Sequence, residues 1–131
     1  MVLASTYIDG ITVIDNCAIE PHIDDLICFL NKCGAKIMRK SRTIYVKGVK
    51  NLTGTEYCIF PDMIEALTYC CFIGAAGGDV ILNNVNNDHI RYSLDIFKSM
   101  GLSISEYNNK VHIINKQDLH GVNVVTAPYP L

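Results

Sequence analysis

The chain has 131 residues, 50% of them hydrophobic and 18% charged, with a net charge of −2. That much apolar mass in one domain's length excludes a disordered chain, and the slightly negative charge argues against a globally basic nucleic-acid binder. No apolar run approaches the roughly 18 residues that crossing a bilayer requires, so no membrane segment is expected. The opening MVLASTYIDG has neither a basic run nor an A-x-A cleavage site, so no signal peptide is expected. Six cysteines occur without any C-x-x-C pair, and no histidine completes a zinc-like spacing. They read as free, mostly buried thiols of a cytoplasmic protein, and no metal site is expected.

In chain order, a strand is expected near Ile11–Asp15. A helix follows from Pro21 to Cys33, with Pro21 suited to its first turn. Ile23, Leu26, Ile27 and Leu30 give it the i, i+3, i+4, i+7 stripe of a core-facing helix. Gly34 is placed for a left-handed C-cap. Strands at 36–40 and 43–49 follow. A further strand is expected at Glu56–Phe60, then a helix after Pro61. Asp62 and Glu65 have the spacing of a capping box at its start. From Ala66 to Ala76 this helix is almost wholly apolar and should be buried on most sides. Beyond it come a strand at 79–83, a helix at 88–100 with the stripe Ile90, Leu94 and Phe97, and strands at 103–107 and 110–115.

These elements repeat. Gly10, Val13, Ile14 and Asn16 recur 67 positions later as Gly77, Val80, Ile81 and Asn83. His22 and Ile23 recur as His89 and Ile90, Gly34 as Gly101, and Ile37 as Ile104, all without a gap. The chain is therefore expected to be α+β, with two β-α-β-β repeats whose helices pack on mixed sheets. At the same offset Met1 matches Thr68, inside the apolar helix, so the chain is expected to begin partway through a helix and to be an internal fragment. Lys36, Arg39, Lys40, Arg42, Lys47 and Lys50 contain six of the eleven basic residues and no acid stands among them. They read as a solvated hairpin face. The alternative is an anion or single-strand nucleic-acid patch with Tyr45 as its one stacking surface.

Three segments carry a family resemblance. Asn16 to Leu26 (NCAIEPHIDDL), with Phe29-Leu30-Asn31 and Gly34-Ala35-Lys36-Ile37, resembles N-A-A-x-E-P-E-I-x-D-L…F-L-N-x-M-G-A-K-I. Pro61 to Tyr69 (PDMIEALTY) is similar to P-D-R-I-E-A-G-T-Y. Val122 to Pro130 (VNVVTAPYP) resembles V-x-V-x-T-x-P-Y-P. Their order and distances match the UDP-N-acetylglucosamine 1-carboxyvinyltransferase family of enolpyruvyl transferases, and the resemblance covers nearly the whole chain.

The resemblance implies an inside-out α/β barrel built from such repeats in two lobes. Residues 1–60 would be a repeat of one lobe, truncated at its first helix, and residues 61–131 a repeat of the other, with a hinge near Phe60-Pro61. It implies transfer of enolpyruvyl from phosphoenolpyruvate to UDP-N-acetylglucosamine in peptidoglycan synthesis, with no metal or organic cofactor. None of the six cysteines matches the family's catalytic loop, and its aspartate falls beyond Leu131, so no residue here is assigned a catalytic role. Glu20, Asp62 and Glu65 would lie near the cleft, and Tyr129 would line the nucleotide side. The plainer readings are a helix-start carboxylate for Glu20, a capping box for Asp62 and Glu65, and core packing for Tyr129. His22 stands where the family more often has glutamate, Met63 where it has arginine, and Leu67 where it has glycine. The departures at Met63 and Leu67 are the support for the alternative of a non-catalytic degenerate paralogue or binding module. The shikimate-pathway enolpyruvyl transferase is the other alternative. No nucleic acid or membrane partner is expected, and bare faces on an isolated piece predict self-association.

Overall fold

A computed structural model describes residues 1–126 and Tyr129. The chain divides into two compact units, Met1–Phe60 and a second starting at Pro61.

The first unit opens with a short helix α1 (Val2–Ser5), then β1 (Ile11–Ile14), α2 (Pro21–Lys32), β2 (Lys36–Lys40) and β3 (Thr43–Lys47). Pro21 occupies the first turn of α2, where its missing N–H leaves nothing unpaired. The stripe buries Ile27 and Leu30, with Ile23 and Leu26 packed beside them on Ile14, Ile37, Ile44 and Val46. Gly34, at φ 101°, turns the chain out of the helix into β2.

The second unit repeats the plan with α3 (Met63–Ala76), β4 (Gly78–Asn83), α4 (Asn87–Ser99), β5 (Ser103–Tyr107) and β6 (Lys110–Asn115). The Asn86 side chain caps α4 by accepting from the Asp88 N–H at 3.2 Å. Ile90 and Leu94 bury the α4 stripe against Val111 and Ile113. Asn108 and Asn109, at φ 46° and 57°, make the tight β5–β6 turn, which needs two left-handed residues.

Four expectations are corrected by this architecture. The sheets are not mixed: they run β1-β3-β2 and β4-β6-β5, and every hydrogen-bonded pair is antiparallel. The last strand of each repeat folds back as a hairpin and inserts between the two strands that α2 or α4 connects. Glu56–Phe60 forms no strand, because it pairs with neither sheet. Helix α3 is not buried on most sides: Ala66, Cys70 and Ile73 face the core, while Ile64, Tyr69 and Phe72 are 61%, 50% and 69% exposed. Within the unit, sheet and α4 cover a single face of α3. The cysteines are free, but only Cys33 and Cys70 are buried, and Cys28, Cys58 and Cys71 are exposed. Burial pushes the Cys70 thiol up to about 11.

The basic stretch is also not uniformly solvated. Lys36, Lys40, Lys47 and Lys50 are exposed. Arg39 instead lies along the sheet with its side chain 14% exposed and its Nε 2.6 Å from Asp24 Oδ1, and it donates to the Ala18 carbonyl at 2.9 Å. Arg42 grips Asn16 Oδ1 through Nη2 at 2.8 Å and Nε at 3.0 Å. Both arginines tie the loop after β1 to the hairpin.

Candidate substrate-cleft residues

Asp62 and Glu65 share one hollow of about 310 Å³ at the start of α3, with Tyr69 on the same helix and Asn83 and Asn84 at the end of β4. Asp62 caps the helix, its Oδ1 accepting from the Ile64 N–H at 2.8 Å. The bond goes to the second helical residue, and among the described residues Glu65 makes no return bond, so the reciprocal capping box is not formed. The Glu65 carboxylate is left exposed at the hollow's rim. Two carboxylates and two side-chain amides make a surface that accepts hydrogen bonds from hydroxyls and amides and repels phosphate.

Glu20 belongs to the first unit. It is the N-cap residue of α2 but makes no side-chain capping bond. Its Oε2 is buried without a hydrogen-bond partner among the described residues. Tyr129 is half-buried in a bend; Ala127, Pro128 and Pro130 of the same motif lie outside the described residues, as does Leu131. Met63 and Leu67 are half-buried and pack against the core of the second unit. The apolar side chains at these two positions therefore contribute to packing. Among the described residues no three His, Cys, Asp or Glu side chains gather as metal ligands.

A second constellation was not visible in the sequence. The Tyr57 hydroxyl donates to Asp25 Oδ1 at 2.6 Å. Its ring meets Phe29 edge-on, with centroids 5.5 Å apart, and the Lys32 ammonium sits 5.3 Å from its centroid. The hydrogen bond to Asp25, with some burial and the carboxylate's charge, pushes the Tyr57 phenol up to about 12. Folding thus favours the neutral phenol. This contribution is fully present below about pH 10, the ordinary tyrosine value, and is lost as pH rises through about 12. Phenolate absorbance at 295 nm should show a step near pH 12, and Tyr57→Phe should delete it. A step near pH 12 that survives in the variant refutes the assignment.

Comparison with known proteins places this geometry. The family model described as EPSP synthase (3-phosphoshikimate 1-carboxyvinyltransferase) matches residues 1–131. UDP-N-acetylglucosamine 1-carboxyvinyltransferase 1 of Caldanaerobacter subterraneus subsp. tengcongensis is 38% identical over 131 residues, covering 99% of this chain and 32% of the relative. The Clostridium botulinum UDP-N-acetylglucosamine 1-carboxyvinyltransferase is 40% identical over 131 residues, covering 99% of this chain and 31% of its own. The chain thus spans about a third of the length of the curated relatives it matches. Among solved structures, the enolpyruvyl transferase NikO from Streptomyces tendae superposes with a TM-score of 0.69 at 19% identity, over 86% of this chain and 28% of that one. At that identity the likeness supports the fold alone. Two β-α-β-β units of the same architecture, matched end to end by the family model, show that the chain belongs to the EPSP synthase family of enolpyruvyl transferases.

Proposed function

We propose that the chain is part of an enzyme that transfers the enolpyruvyl group of phosphoenolpyruvate to the 3-hydroxyl of UDP-N-acetylglucosamine, in peptidoglycan synthesis in the cytoplasm. The observation that carries this reading is 38–40% identity, over the full 131 residues, to relatives bearing that activity in their names. The two units are assigned to different lobes, with the crossing near Phe60-Pro61. Glu20, Asp62, Glu65 and Tyr129 are assigned to the cleft wall. The carboxylates suit sugar hydroxyls and the acetamido N–H, while the phosphate groups need cations supplied elsewhere. No reacting group is assigned within the chain, so the chain alone is expected to be inactive.

The test is a chimera in which this chain replaces the matching third of the Clostridium botulinum enzyme. Phosphate release that requires both substrates is the expected result. A folded chimera that releases none overturns the reading in favour of a degenerate, non-catalytic module. Calorimetric titration of the chain alone with UDP-N-acetylglucosamine is expected to give no heat. Saturable binding near or below ~1 mM, roughly −4 kcal/mol, would instead mean a self-sufficient ligand site.

A further inference from the structure

We propose that Tyr57 is a latch that holds the segment Thr53–Tyr57 against α2, so that the chain first becomes free to turn at Cys58 and Ile59. The segment is anchored at both ends. At one end the Thr53 N–H donates to the Cys33 carbonyl at 2.8 Å and its Oγ1 donates to the same oxygen at 3.2 Å. Just before it, Leu52 packs on the first unit's core. At the other end Tyr57 reaches Asp25. Asp25, Phe29 and Lys32 stand at i, i+4 and i+7, so the hydroxyl, the ring edge and the cation all come from one face of α2.

A segment bonded to α2 and its C-cap at both ends has its internal residues held although no strand ladder pairs them. Among the described residues neither Cys58 nor Ile59 bonds to α2, and both are exposed, Ile59 to 76%. The latch also completes a hollow of about 290 Å³, with His22, Asp25 and Phe29 from the helix, Thr55 and Tyr57 from the segment, and Ile59 beyond it. Opening the latch removes that wall. The inference stands on these contacts and does not depend on the proposed activity.

Backbone ¹⁵N relaxation of the chain tests it. Amides of Gly54–Tyr57 are expected to show order parameters near those of α2, about 0.85, falling below about 0.6 at Cys58 and Ile59. In Tyr57→Ala the fall should begin at Gly54, while the α2 and β3 signals stay in place and confirm the fold. Tyr57→Phe keeps the ring contacts and removes the hydroxyl, so it should give the same change at smaller size. It decides the matter if the alanine variant does not fold. Unchanged order in the folded variants overturns the latch. So does a wild-type segment that is already mobile, or one that stays rigid through Ile59.

Discussion

Replacing Leu94 with alanine is expected to destabilise the second unit by about 3–4 kcal/mol, within the range for a buried leucine truncated to alanine. Leu94 is fully buried among Ile90, Cys70, Val111 and Ile113, where α4 meets the sheet beneath α3. The loss combines the transfer free energy of the removed carbons with the cavity left behind. Urea unfolding followed by circular dichroism should show the midpoint falling while the slope stays constant. A loss under about 1 kcal/mol would mean that the surrounding side chains collapse into the space, and that this core is not packed as described.

Gly48→Ala is expected to cost about 2–3 kcal/mol, for a reason that has nothing to do with hydrophobic burial. A Cβ at Gly48 would lie 1.8 Å from the Ile8 carbonyl oxygen and 2.7 Å from its carbon. Both are backbone atoms, so no side chain can swing aside. The same stretch carries two bonds, Gly48 N–H to the Gly10 carbonyl at 2.9 Å and Val49 N–H to the Thr6 carbonyl at 2.8 Å. They hold the Met1–Gly10 segment, with Ser5 and Thr6 buried, against the end of β3. A fall in thermal midpoint is the expected readout. A neutral substitution would show that residues 1–10 rest elsewhere than on β3.

The candidate cleft residues divide in the same way between what is local and what is long-range. Asp62 and Glu65 were visible as a motif at a helix start, and their closeness follows from helical spacing, but the hollow they share needs the end of β4 opposite them. The Tyr57 cluster was not visible, because its partner Asp25 lies 32 positions away and neither residue stands in a recognisable pattern. Arg39 read as one of six solvated cations until its packing brought Asp24 to its guanidinium. Glu20 read as a helix-start carboxylate, yet it makes no capping bond and turns one oxygen inward.

Residues 56–60 apart, the order of elements from β1 onward, the duplication and the family were determined by the sequence alone. Helix stripes, glycine C-caps and two-residue hairpin turns are set by residues within a few positions of one another, and a duplication repeats them in register. Four features were decided only in three dimensions. The last strand of each repeat sits between the other two, since strand order depends on which edge a hairpin finds free. Residues 56–60 form no strand, because a strand exists only where a partner's hydrogen-bonding groups are open to it. Helix α3 buries one face despite being apolar all round, because burial depends on what lies opposite. Gly48 is required by a carbonyl forty residues earlier in the chain, at Ile8, whose approach no local pattern records.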